Sequence, residues 1–166
     1  GPEVYEDLAR DLRRRRAELD ARLQIDVVMD RESLLAQVSM FADLEPARLA
    51  RIARLLRPRF MVPNQTVVEK GDEGESMYFI ASGAVEVKLA NPVPLGSGKF
   101  FGEIALLRKR PRTADVVTMS YCRLLELRAD DFEQLMRSDP ALRETLDTEA
   151  SKRLSELGLG PAPAGS

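Results

Sequence analysis

The sequence predicts an α+β fold: an eight-stranded antiparallel β-roll, jelly-roll-like, flanked by N-terminal and C-terminal helices. Three observations carry this. Between residues 59 and 127, short runs rich in Val, Ile, Phe and Leu recur at 59–62, 65–69, 77–81, 84–89, 93–95, 99–101, 114–118 and 122–127. Short strands at such spacing, separated by turn residues, form sandwiches, barrels or rolls. On both sides of this stretch the apolar spacing changes to three and four residues, the period of a helix. Hydrophobic residues make up 44% of the 166 positions and charged residues 31%, which suits a packed domain and not a disordered chain.

Each element has its own signal. Gly1-Pro2 reads as a protease-cleavage scar and is set aside. Residues 3–23 read as a helix with a narrow stripe of Val4, Leu8, Leu12, Leu19 and Leu23. Its acid-first pairs Glu6/Arg10, Asp11/Arg15 and Glu18/Arg22 have the spacing and order that stabilise a helix. Asp30 is placed to cap a second helix over about 31–38, and Met40-Phe41-Ala42-Asp43-Leu44 follows as a short link. A third helix opens at Pro46, a residue tolerated in the first turn, with Leu49, Ile52, Ala53 and Leu56 on one face. The turns between the strands fall at Pro63-Asn64, Gly71-Asp72-Glu73-Gly74, Ser82-Gly83, Asn91-Pro92 and Gly96-Ser97-Gly98. Helix returns at 129–138, with Asp130 and Asp131 read as its cap, and Pro140 opens a last helix to about 157. Residues 158–166 have tail composition and are expected to be disordered. The domain plan is therefore a helical connector over 3–37, a ligand-binding roll over 38–157 and a tail.

Composition excludes several function classes. There is no histidine, so His-based acid/base chemistry, Ser-His triads and His-ligated metals are out. A single cysteine, Cys122, allows neither an internal disulfide nor a cysteine cluster, and is expected to be a buried, inert thiol. The net charge is −2, which disfavours binding to nucleic acid, because displacing phosphate counterions needs an excess of cations. The arginines at 13–16 do not change that, since neighbouring acids offset them. No run of about 18 apolar residues offers a membrane span, and the opening residues do not form a signal peptide.

Chemistry concentrates in Phe100-Phe101-Gly102-Glu103-Ile104-Ala105-Leu106-Leu107 and, a few residues on, Pro111-Arg112-Thr113-Ala114. Gly102 lets the backbone approach a ligand closely. Residues 103–107 have room for one or two helical turns, whose leading N–H groups suit an anion. Arg112 can hold a phosphate bidentately, and Thr113 adds a hydroxyl. A carboxylate beside an anion site makes sense where it accepts from hydroxyls, as Glu103 would from a ribose. The residues alone therefore point to a phosphorylated sugar; the competing reading is a Glu103–Arg112 ion pair closing a loop.

The F-G-E-I-A-L-L run and P-R-T-A-D-V-V, set in an eight-strand pattern with helices at both ends, strongly resemble the phosphate-binding cassette of the cyclic nucleotide-binding domain family. The resemblance covers about residues 38–157 and includes Gly71, Gly74 and Gly83. It implies a non-catalytic sensor that binds cyclic AMP or cyclic GMP without a metal. Glu103 would take the ribose 2′-hydroxyl and Arg112 the cyclic phosphate, with amides near Gly102, Ala105 and Ala114, and Ile104 beside them. Thr113 stands where relatives carry Ala, Ser or Thr. Val87, Val93 and Leu95 would form the apolar side of the base pocket, although core packing alone explains them equally well. Arg153, on the apolar arc of the last helix, would close over the purine, unless it snorkels or forms an internal salt bridge. The short hairpin at 88–95 is most like bacterial membrane-linked members of the family. The implied partner is a covalently attached membrane domain upstream. The reading favours a sodium/proton antiporter, with a cyclic nucleotide-gated potassium channel as the alternative and a catabolite-activator-type transcription factor behind both. The last would need a helix-turn-helix where the sequence reads GLGPAPAGS. The domain would then face the cytoplasm at a bacterial inner membrane, and a homodimer through the full-length protein is compatible with this plan.

Overall fold

The computed structural model describes the backbone of residues 1–36 and 38–158, with side chains described throughout except at 20–30, 34 and 39. The expected tail beyond Gly158 lies outside the described residues. The chain opens with one long helix, α1 (Pro2–Ala36), followed by a 3-10 turn at Ser39–Phe41 and α2 (Pro46–Leu55). Eight strands follow: β1 (Arg57–Met61), β2 (Thr66–Val68), β3 (Ser76–Ser82), β4 (Val85–Lys88), β5 (Val93–Leu95), β6 (Phe100–Phe101), β7 (Asp115–Thr118) and β8 (Cys122–Arg128). A five-residue helix α3 (Glu103–Leu107) sits between β6 and β7, and α4 (Ala129–Ser138) and α5 (Pro140–Glu156) close the described chain. The strands pair antiparallel into two four-stranded sheets, ordered β1-β8-β3-β6 and β2-β7-β4-β5. This is the expected roll, with every strand near its expected place.

Strand β3 shows why the sheets stack as they do. Its side chains alternate between faces with period two. Tyr78 and Ile80 point into an inner core with Val68, Val85, Phe101, Val116, Cys122 and Leu124. Met77 and Phe79 point the other way, into an outer core with Leu125 and Leu127 and with Ile52, Phe132, Leu142 and Leu146 of the helices. Both faces of β3 are covered, so Ser76 to Ala81 are all buried. Cys122 is the buried free thiol the sequence suggested.

Two local expectations change. The break before Asp30 is absent, because α1 runs unbroken to Ala36. No Gly or Pro falls between Pro2 and Pro46, and the β-branched residues near 25–28 cost a helix only tenths of a kcal/mol each. Asp130 and Asp131 do not cap α4; the cap position is Arg128, and both acids lie in the first turn, where they still complement the positive helix end. The side-chain cap belongs instead to Asp139, which accepts from the Leu142 N–H at the start of α5.

Asp139 also ties α5 to α2. Arg48 donates to both its carboxylate oxygens, Nε reaching Oδ2 at 2.7 Å and Nη2 reaching Oδ1. Burial alone would push the Asp139 carboxyl up. The Arg48 and Leu142 hydrogen bonds and the charges of Arg48 and Arg51 outweigh it and hold the pKa below its ordinary value. A depressed carboxylate stabilises the fold above its unfolded pKa, about 3.9, and that contribution fades as pH falls through the folded value. Asp139→Asn, which keeps a capping oxygen but not the charge, is therefore expected to lower stability by about 1–2 kcal/mol at pH 7 and by less at about pH 3. Urea melts at the two pH values check it; an equal deficit at both would rule out the charge.

Candidate functional site

One cavity of about 540 Å³ opens between the second sheet, α3 and α5. Every residue singled out by sequence lines it: Val87, Val93, Leu95, Gly102, Glu103, Ile104, Ala105, Arg112, Thr113, Ala114 and Arg153. Their convergence has local causes. Gly102 adopts φ +91°, a left-handed conformation that suits glycine, at the turn from β6 into α3. A Cβ there would stand 2.8 Å from Arg112 Nη1. Gly74 packs as closely, since its Cβ would meet that of Ala105 at 2.5 Å.

Arg112 is buried, 8% exposed. Its Nη1 donates to the Gly102 carbonyl at 2.9 Å and its Nη2 to the Ser76 carbonyl. These bonds fasten the segment before β7 to β3 and to the β6–α3 turn. A guanidinium carries five N–H groups, and these two bonds use two of them. Burial pulls the Arg112 pKa below its ordinary value, against the influence of Tyr78, Glu103, Asp72 and Glu75. An arginine so placed still carries its charge at neutral pH.

Glu103 begins α3 and is 1% exposed. Its ion-pair partner is Arg153 of α5, at 2.7 Å from Nη1 to Oε1, and not Arg112. The loop-closing Glu103–Arg112 pair is thus absent. The second carboxylate oxygen, Oε2, is buried and has no hydrogen-bond partner. Burial pushes the Glu103 carboxyl above its ordinary pKa, opposed chiefly by the Arg153 charge.

Helix α5 is docked over this site. Arg153 lies with its guanidinium carbon 4.5 Å from the centre of the Phe100 ring. From the other side, Arg108 at the end of α3 donates to Asp147 Oδ1 at 2.7 Å and to Ser151 Oγ at 2.9 Å. Two arginines, one from each helix, therefore clasp α3 and α5 together.

Sequence reasoning missed Val68, Leu89, Ala90, Asn91, Phe101, Val116, Glu156 and Leu157, which also line the cavity. Register would have found part of this set. Val68 pairs with Val116, Val116 with Val87, and Val87 with Val93. Four valines thus form one cross-strand row, an apolar floor that Val87 and Val93 alone only hinted at.

The matching family model, described as Cyclic nucleotide-binding domain, covers residues 58–139. A cyclic nucleotide-gated potassium channel of Mesorhizobium japonicum is 39% identical over 120 residues, 72% of this chain and 34% of that protein. Potassium/sodium hyperpolarization-activated cyclic nucleotide-gated channel 1 of Rattus norvegicus is 33% identical over 145 residues, 86% of this chain and 16% of that protein. The chain thus spans about a third or less of the length of these relatives. Among solved structures, Sp-2Cl-cAMPS bound to PKAR CBD2 aligns with TM-score 0.68 and 23% identity, over 83% of this chain and 96% of that one. That likeness concerns the fold, and it matches the two-sheet roll with flanking helices described above. Through residues 58–139 and the cassette they contain, the chain belongs to the cyclic nucleotide-binding domain family.

Proposed function

We propose that the cavity binds a cyclic nucleotide, cyclic AMP or cyclic GMP, and that the domain is a non-catalytic regulator of an attached membrane channel. The observation that carries the ligand reading is a pair of buried, incompletely satisfied groups on residues that line one cavity. Glu103 keeps an unpartnered oxygen, and Arg112 has spent two of its N–H groups on carbonyls. Burial of such groups is costly unless something completes them. A ribose hydroxyl completes the first and a cyclic phosphate the second. The valine row offers a flat apolar surface to a purine, and the cavity is of the usual size for a small ligand.

Regulation follows from α5. That helix carries Arg153, Glu156 and Leu157 to the cavity wall, so a bound ligand touches it directly. A ligand that prefers one placement of α5 shifts the population toward it. The two relatives above are named as channels, which supports a channel over the antiporter, a reading that rests on sequence resemblance alone. No helix among the described residues is long and apolar enough to cross a membrane. The domain would lie on the cytoplasmic side, joined to a pore elsewhere in a longer protein.

Calorimetric titration tests the ligand. Cyclic AMP has about 22 heavy atoms, and at about −0.3 to −0.4 kcal/mol per atom a dissociation constant from about ten micromolar to below one micromolar is expected. Absence of both heat and thermal shift with millimolar cyclic AMP and cyclic GMP would overturn the reading. Ligand-dependent potassium flux through vesicles holding the full-length protein tests the channel; sodium-coupled proton flux would restore the antiporter.

A further inference from the structure

We propose that Glu126 is a positioning residue for Arg112: from the inner face of β8 it holds, through two hydroxyls of β3, the backbone on which that guanidinium is anchored. This rests on the cyclic nucleotide reading above and adds to it what keeps the phosphate-binding cation in place. Glu126 lines a second cavity, of about 660 Å³, which shares Arg112 with the first. It does not line the first cavity, so any effect on a ligand there passes through other residues.

The pattern of β8 makes this acid conspicuous. Residues two apart on a strand share a face, so Cys122, Leu124 and Glu126 form one row, and the first two belong to the inner core. A carboxylate next in that row, its side chain 13% exposed, is costly unless donors surround it. Ser76 Oγ donates to Oε2 at 2.8 Å, and the Tyr78 hydroxyl donates to the same oxygen at 3.2 Å. Arg59 reaches Oε1 at 3.4 Å, but its side chain is half-exposed, and such a pair is weak. Ser76 and Tyr78 are both buried, and hydrogen bonds to a charged acceptor are the strong kind. Burial, with the Glu126 charge and hydrogen bond added to it, pushes the Tyr78 phenol above its ordinary pKa, so the phenol stays a donor.

Both hydroxyls lead to Arg112. Ser76 makes the first connection by itself: its hydroxyl is bound to Glu126 while its carbonyl accepts from Arg112 Nη2. Tyr78 makes the second. Its ring stacks on Phe101 at 5.2 Å, and the two residues are partners in the β3–β6 ladder. Phe101 precedes Gly102, whose carbonyl accepts from Arg112 Nη1. One carboxylate oxygen thus steadies both carbonyls that hold the guanidinium. With both carbonyls held, the fork has one orientation to offer a phosphate.

The test reads the phosphate itself. Dissociation constants are measured for cyclic AMP and for its two phosphorothioate diastereomers, each with sulfur in place of one exocyclic oxygen. The proteins are the wild type, Glu126→Leu, Glu126→Gln, Ser76→Ala, Tyr78→Phe and the Glu126→Leu/Ser76→Ala double variant, with affinities referred to the folded fraction from melts. A fixed guanidinium distinguishes the two exocyclic positions, so wild type should prefer one diastereomer by about tenfold or more. Glu126→Leu should bind cyclic AMP about tenfold more weakly and lose most of that preference. Glu126→Gln, which keeps an acceptor oxygen, should fall between the two, and Ser76→Ala and Tyr78→Phe should each give part of the loss. The double variant should be little worse than Glu126→Leu, because both changes break one connection. If Glu126→Leu does not fold, Glu126→Gln and Ser76→Ala carry the same comparison. Equal weakening for both diastereomers, with the preference intact, would overturn the proposal and leave Glu126 a residue of the core alone. Unchanged affinity and preference, or losses that add in full in the double variant, would overturn it too. In each of these cases the wild type still binds; failure of the wild type to bind any of the three nucleotides would overturn the ligand reading, and this proposal with it.

Discussion

Arg112→Ala is expected to weaken cyclic nucleotide binding more than any other single change in the cassette, by about 2–5 kcal/mol. At about 1.4 kcal/mol per decade that is a loss of roughly thirtyfold to several thousandfold. The size follows from the setting. The guanidinium is buried, so its charge is poorly screened, and it reaches the cavity with N–H groups uncommitted. A phosphate in that cavity would lose its buried charge partner. The variant has a structural cost too. The carbonyls of Ser76 and Gly102 lose their Arg112 donors, at about 1–3 kcal/mol for each one left unsatisfied. Titration must therefore be referred to the folded fraction, measured by thermal melt. Arg112→Lys keeps the charge but not the planar fork, so it should fall between alanine and wild type. Wild-type affinity in Arg112→Ala would show that the phosphate is held elsewhere.

The sequence made the strands legible because turn residues separate them cleanly. Gly71, Gly83 and Gly98 all take positive φ at turns between them, a conformation whose steric demand is local and visible in composition. Local signals also placed Gly102, Glu103 and Arg112, since the fold brings the β6–α3 turn and the segment before β7 together across β3. What local signals could not supply was pairing over distance. Both Arg112 and Arg153 were plausible partners for Glu103 on charge alone. The choice depends on how α5 lies across α3, which is decided by Arg108, Asp147 and the burial of Leu146 and Ala150. The α4 cap failed for a similar reason. Asp130 and Asp131 have the right chemistry for a cap, but β8 runs through Arg128 and α4 starts directly at Ala129, leaving no position for them outside the helix.

Phe79→Ala should cost about 3–5 kcal/mol of stability, a large share of the roughly 5–15 kcal/mol that holds a domain of this kind together. Phe79 is 1% exposed and fills the outer core where β3 meets the helices. Its ring meets Phe41 edge-on at 5.3 Å and lies 6.1 Å from Phe100. Phe100 in turn carries Arg153 on its face, and Arg153 holds Glu103. Loss of the Phe79 ring therefore removes an aromatic neighbour of Phe100, the ring that carries Arg153. Denaturant melts should show the stability loss, at about 2–4 °C per kcal/mol if read as a melting temperature. Ligand affinity per folded molecule should fall with it. Leu127→Ala is the control: Leu127 is as deeply buried in the same cluster and should cost about 2–5 kcal/mol, but it pairs across the sheet with Met77 and not with Phe79. Comparable stability losses with weakened binding only in Phe79→Ala would show that the aromatic contacts support the carboxylate. Equal loss of affinity in both variants would mean that general loosening of the outer core, and not the ring sequence, reaches the ligand site.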